Sequence, residues 1–305
     1  MRIFVAGATG VIGRHLVPQL VAQGHEVTAL TRRNHVVAEG VRTVVGDVYD
    51  AAGLREVVAA ARPEVVFHQL TDLTSRDFAA NSRIRREGTR NLIDAALFAG
   101  VRRVISQSIA WAYEPGDAPA VESTPLDLDA ADDRRRATVR AVAALEDITA
   151  EAPEWVVLRY GTLYGPDTWY TKGGAMADLA AAGDLPTGPD ITSFLHVQDA
   201  ADAAQAALDW PTGPVNLVDN DPAPATTWTP LFTESVGVDS PTTSPNALAS
   251  TTPGVSAPAL SPAAPVVAAA AAGRTPWARG ASNAHARIDL GWSPAYPTWQ
   301  TGFFS

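Results

Sequence analysis

Residues 2–20 read RIFVAGATGVIGRHLVPQL. Ile3 to Ala6 form a short apolar run of strand character, and Leu16, Val17 and Leu20 recur at helical spacing on one face. Between them lies GATGVIG, Gly7 to Gly13, a glycine turn that follows a strand and opens a helix. Each glycine has a separate task. Gly7 permits the tight turn, Gly10 lets the backbone approach a pyrophosphate, and Gly13 allows the helix to pack closely, with Thr9, Val11 and Ile12 filling the turn. The helix start supplies amide donors and the positive end of a dipole, so the unit predicts a bound dinucleotide.

Outward from this unit the alternation continues through EVTAL, RTVV, AGLREVVAAAR, EVVFHQ, a helix over about 81–99, RRVISQS, the helix ATVRAVAALED at 137–147, and WVVLRY. Strands that are apolar on both faces and separated by helices specify a parallel sheet covered on both sides, hence a doubly wound α/β (Rossmann) fold. The expected organisation is a dinucleotide-binding domain over 1–165 and a smaller substrate-side region over 166–305, partly interleaved with it. In that second region SFLHV at 193–197 runs into an alanine-rich helix and then PVNLV. From about 240 to 274 the chain is rich in Pro, Ala, Ser and Thr and poor in charge, a long loop or lid by composition. There is no internal repeat.

The 305 residues carry a formal charge of −10, which argues against a nucleic-acid partner. Arg134, Arg135 and Arg136 follow Asp132 and Asp133 and read as a solvated helix start. With no cysteine, disulfides, thiolate metal sites and thiol nucleophiles are excluded, a cytoplasmic setting is expected, and redox chemistry must come from a cofactor. The first residues suit neither a signal peptide nor an anchor, and the longest apolar tract, PVVAAAAAG, is about half a membrane span. The expected partner is a small-molecule substrate, with neither membrane nor metal.

Where the second strand ends, NAD sites normally place an acid against the ribose 2′-hydroxyl. Here the chain reads Leu30-Thr31-Arg32-Arg33, and two guanidiniums beside a hydroxyl favour the 2′-phosphate of NADP over NAD. Asp47, in GDVYD, is placed to accept from the adenine amine or to cap the next helix.

Taken in order, GATGVIG, GDVYD, VVFHQL, ISQSIAWAY, LRYGTLYGP, SFLHVQDAADA and DLGWSPAYPTWQTGF resemble the extended short-chain dehydrogenase/reductases, the NAD(P)-dependent epimerase/dehydratase group. The resemblance implies that Gly7, Gly10 and Gly13 hold the pyrophosphate and that Asp47 and Val48 flank the adenine. Leu70 and Thr71 would lie along the cofactor, and the segment from Tyr160 through Thr162 to Pro166 would border the nicotinamide. His196, in HVQDA, reads as structural. Dimers in this group pair through the helices that begin here near Asn81 and Thr138, so a homodimer is expected.

The resemblance also implies a Tyr-x-x-x-Lys on the helix after the fifth strand, with tyrosine moving the proton and lysine holding the ribose and lowering the tyrosine pKa. Anchored on Glu146 and Trp155, those positions are Thr138 and Val142. The only lysine is Lys172, and the residue four before it is Thr168, so no such motif exists in the chain. The group's serine falls at Ser108 or, one residue on, at Ile109. Hydride addition to a neutral carbonyl builds an alkoxide, which needs a donor.

Three readings follow. One is an NADP-dependent reductase for an acceptor already charged or conjugated, such as an iminium or activated alkene. Another is a reductase with a relocated acid, for which Tyr113, Tyr164 and Tyr170 are candidates, Tyr164 foremost. The third is non-redox isomerisation, dehydration or cyclisation on the same scaffold, or a silent NADP sensor. Trp111, Tyr113, Trp169 and Tyr170 follow strand ends, where they suit a flat apolar substrate or simply core packing.

Overall fold

The computed structural model describes residues 1–33, 37–72, 77–238 and 273–305. The low-complexity stretch therefore lies outside the described residues, apart from its last two positions. The chain opens with β1 (Arg2–Ala6), α1 (Gly13–Ala22), β2 (Glu26–Thr31), β3 (Arg42–Val45), α2 (Ala51–Ala61) and β4 (Val65–His68). Then come α3 (Phe78–Arg83), a π-helical turn over Ile84–Gly88, α4 (Thr89–Phe98), β5 (Arg103–Ile109), α5 (Asp133–Thr149) and β6 (Glu154–Tyr160).

The second half holds β7 (Thr162–Tyr164), α6 (Ala175–Ala182), β8 (Ile191–Thr192), β9 (Phe194–His196), α7 (Val197–Ala206) and β10 (Gly213–Leu217). It ends with β11 (Ala223–Pro224), α8 (Ala225–Ser235), α9 (Ala284–Ile288) and α10 (Trp299–Gly302). Seven strands form one sheet in the order β10-β6-β5-β4-β1-β2-β3, and every adjacent pair is parallel. This is the doubly wound arrangement expected from the apolar strands. One edge strand, β10, and the helix α7 packed on α1 come from beyond residue 165, so the second half of the chain completes this sheet.

Each sheet face buries its own apolar layer. Ile3, Val5, Phe67, Ile105 and Leu158 pack with α1 and α7, and Phe4, Val66 and Val104 pack against Leu54, Leu92 and Ile93 of α2 and α4. A third cluster, outside the sheet, gathers Tyr164, Tyr170, Phe194, Trp228, Phe232 and Trp299.

The helix predicted over 81–99 begins earlier, because Asp77 caps it by accepting from the amides of Ala79 (2.8 Å) and Ala80 (3.1 Å). Its middle widens into a π turn where the buried Thr89 hydroxyl donates to the Ile84 carbonyl (3.3 Å) and sits 2.7 Å from His68 Nε2. Such turns recur at functional sites. Gly88 lets this helix lie against Val48, since a Cβ there would stand 3.3 Å from Val48 Cγ2.

Candidate active site

The site lies along the carboxyl ends of the central strands, where β1 hands over to the glycine turn. Gly7 has φ +97° and a Cβ there would meet the Gln69 carbonyl oxygen at 2.2 Å; at Gly13 it would meet the Gly7 carbonyl oxygen at 2.2 Å. Only glycine fits either position. Gly10 differs, having only Gly7 O (3.2 Å) and Gln69 O (4.0 Å) near its notional Cβ, so its outer side is open to a ligand. No side chain caps α1; the Arg14 and His15 amides donate to the carbonyls of Gly10 (3.1 Å) and Ile12 (3.0 Å), so an acceptor from outside would meet the amides of the turn just before them. A pyrophosphate fits this cradle. Thr9 lines its outer hollow with Arg14, whose guanidinium pairs with Asp167 at 2.7 Å.

Arg32 and Arg33 are exposed just past β2, and the Thr31 hydroxyl donates to the Arg33 carbonyl (2.9 Å) to turn the chain. Asp47 accepts from the Tyr49 amide (2.9 Å); the cap of α2 is Asp50, which accepts from Gly53 (3.1 Å), so the capping alternative for Asp47 is overturned. Val48 is buried behind Asp47. Beyond β4, Leu70 is half-buried, its amide donating to His68 Nδ1 (3.3 Å), and Thr71 is exposed.

Past the carboxyl ends of β5 and β6 lies a cavity lined by Trp111, Tyr113, Thr162, Thr192, Trp277 and Arg279, together with their neighbours. Four chain segments distant in sequence build it. Arg279 is fixed at its edge by donating from Nε to the Ala118 carbonyl and from Nη1 to those of Glu114 (3.3 Å) and Pro115 (3.4 Å). Trp277 lies under the Arg135 guanidinium at 4.0 Å. Arg135 itself is turned inward, paired with Asp127 at 2.7 Å and donating to the carbonyls of Trp111 (3.2 Å) and Tyr113 (2.8 Å). This corrects the solvated reading of the arginine run for its middle member: a cation tied to two cavity-bearing backbone positions outweighs solvation.

Behind the cavity runs a buried polar network. Arg159 pairs with Glu146 at 2.6 Å and donates to the Tyr113 oxygen (2.9 Å), Tyr113 donates to Asn216, and Ser108 donates to Glu146 (2.6 Å). Burial disfavours the Arg159 charge, but Glu146's hydrogen bonds and opposite charge outweigh it and hold the guanidinium pKa above its ordinary value. Burial pushes the Tyr113 phenol up to about 12, against the pull of Arg159. The Ser108 hydroxyl is therefore committed to the interior, and Ile109 is the partly exposed neighbour.

On α5, Thr138 is buried and spends its hydroxyl on the Arg134 carbonyl (3.0 Å), while Val142 packs with Ala112 and Val139. The Thr138 hydroxyl is thus spent on the helix backbone, and Val142 has no polar group. Tyr164 is fully buried among Phe194, His196 and Phe303, with no hydrogen-bond partner for its hydroxyl among the described residues and its pKa raised chiefly by burial. Tyr170 packs against Phe194, Trp228 and Phe232, and Trp169 packs on the same cluster. The four strand-end aromatics thus divide, Trp111 and Tyr113 lining the cavity and the other pair the distant apolar cluster. Tyr160 is buried, its hydroxyl 3.3 Å from the Ala200 carbonyl. His196 caps α7 and stacks on Tyr296 at 3.6 Å, and Lys172 is exposed.

Motif reading missed Arg135, Trp277 and Arg279. The first hid in a charge run, and the others follow a stretch without local pattern. Arg159 left a signal, a cation within the apolar strand WVVLRY.

Comparison with known proteins places this geometry. The model of the NAD dependent epimerase/dehydratase family matches residues 3–217. A 3-diazoavenalumate denitrifying reductase from Streptomyces is 45% identical over 314 residues, covering 99% of each chain. A ceramide reductase from Caulobacter vibrioides is 30% identical over 206 residues, covering 65% of this chain and 58% of its own. Among solved structures, the Bordetella bronchiseptica enzyme WbmG in complex with NAD and UDP superposes with TM-score 0.72 at 21% identity, covering all of this chain and 94% of its own. UDP-glucose 4-epimerase from Thermotoga maritima superposes at 0.73 with 18% identity, covering 100% and 96%.

Proposed function

The chain belongs to the NAD-dependent epimerase/dehydratase family, and from that premise we propose that it is an NADP-preferring reductase for an electron-poor, positively charged aromatic acceptor of the aryl diazonium class, carrying a carboxylate. The observation that carries this reading is α5, where sealed Thr138 and Val142 leave no proton donor. Ketone reduction concentrates charge on oxygen and needs such a donor; a diazonium acceptor loses its charge instead. A reduced nicotinamide, when bound, supplies the hydride that replaces dinitrogen on the ring carbon, a balance that consumes no proton. The relative's name supports the same class, joining a diazo substrate to a denitrifying reduction.

In this reading Gly7, Gly10 and Gly13 cradle the pyrophosphate, Arg32 and Arg33 meet the 2′-phosphate, and Asp47 meets the adenine. Trp111 flanks the substrate ring, and the outer edge of Arg279 grips its carboxylate. The buried network fixes Tyr113 as a wall of the cavity. Ser108 and Tyr164, both turned away from it, are not proton donors here. A homodimer through α4 and α5 completes the proposal, with sedimentation equilibrium as its check.

The test is turnover of a carboxylate-bearing benzenediazonium with deuterated NADPH. Above the uncatalysed background, one equivalent of NADPH should be consumed per dinitrogen released, with deuterium on the ring. Nucleotide-sugar epimerisation without diazonium turnover would overturn the reading. Arg279→Ala should raise KM for the carboxylate substrate roughly 10-fold or more with little change for its uncharged analogue. Replacing Arg32 and Arg33 together with alanine should lower the NADPH-over-NADH preference by about 10-fold, measured as the ratio of kcat/KM values.

A further inference from the structure

Arg85 stands on the inner side of the π turn between α3 and α4 and is 7% exposed. Among the described residues it forms no hydrogen bond and no ion pair. An isolated buried cation is costly, and a chain that keeps one has placed it for something else to meet.

The topology says where it lies. The helix from α3 to α4 runs antiparallel to β4, and Thr89, just below Arg85, already touches His68, the last residue of β4. Arg85 is thus one turn higher, level with Leu70 and Thr71, and helical side chains lean toward the helix start. Across from it, Thr149 bonds Ser106 (2.9 Å) and Ser108 bonds Glu146 (2.6 Å), so α5 climbs the same way, with Glu146 at that level and Val142 one turn above it, on the side toward which Arg85 leans. The π turn packs on α5, the Arg85 charge bears on His68, and the Glu146 carboxylate bears on Arg85. Burial lowers its pKa to about 10, which still leaves it charged at neutral pH.

We propose that Arg85 supplies, from the neighbouring helix, the cation that α5 lacks, donating to the ribose hydroxyls of the nicotinamide half of the bound cofactor. The inference rests on the nicotinamide-nucleotide reading above. Unlike a lysine on α5, it has no adjoining phenol to activate, which fits a reaction that needs ribose positioning and no acid.

Calorimetry on the full chain tests it with two probes: whichever of NADP⁺ or NAD⁺ the wild type binds more tightly, and its adenosine half, 2′-phospho-ADP or ADP. Arg85→Met should weaken the dinucleotide about 10-fold or more while leaving the half-molecule within about twofold, because a charged donor is lost at one end only. Arg85→Lys should recover part of the loss. Without cofactor, Arg85→Met should melt no lower than wild type, since an unpaired charge has been removed. Equal dinucleotide affinity in wild type and Arg85→Met overturns the assignment to Arg85 alone. A parallel loss on both probes, with a lower melting temperature, assigns it to packing and overturns it too. Absence of any nicotinamide-nucleotide binding by the wild type overturns this inference and the proposed function together.

Discussion

At Gly7 a left-handed φ of +97° coincides with a carbonyl 2.2 Å from where a Cβ would stand, so sterics and conformation select the same residue. Gly7→Ala should destabilise the fold by about 1–3 kcal/mol and abolish nucleotide binding, read by urea unfolding and calorimetry. His68 makes a different kind of commitment. Full burial pushes its pKa down to about 4, below the unfolded value, so the unfolded chain binds more protons between about pH 4 and 6.5. Stability from the neutral ring is complete above pH 6.5 and is lost as pH falls through 4. His196, also lowered to about 4 by burial, adds to the same slope. In His68→Gln the change in urea midpoint between pH 4 and 6.5 should therefore shrink.

At the element scale α5 shows how one helix serves two ends. Its lower half joins the sheet through Thr149, Glu146 and the buried Glu146–Arg159 pair, and its upper half presents packed Thr138 and Val142. Arg159→Met alone strands Glu146 and should cost about 3–5 kcal/mol in urea unfolding, whereas the double variant with Glu146→Leu should cost much less. A double variant no more stable than either single one would show that the pair's charge is not what the interior needs. The bland spacing of ATVRAVAALED was a sufficient guide to helix, but only packing revealed that Glu146 faces Arg159 and Ser108.

Over the whole molecule, the cavity is assembled from the segments that follow β5 and β6, from β8 and from the segment around Trp277, which Arg135 and the carbonyl contacts of Arg279 hold in place. Ligand binding should therefore tie the two halves of the chain. Cofactor at about 100 times its Kd should stabilise the native state by roughly 2.7 kcal/mol, visible as a raised melting temperature. The sequence alone determined the sheet, its covered faces and the glycine cradle, because apolar periodicity and glycine sterics are local properties that survive in any compact arrangement of these strands. It also determined that no Tyr-x-x-x-Lys is present. Only the tertiary structure decided that Ser108 and Tyr164 turn inward, that Arg135 leaves the solvent, that Arg85 is buried and that Arg279 edges the cavity. Burial and charge pairing depend on residues brought together from far along the chain, and no local spacing encodes those encounters.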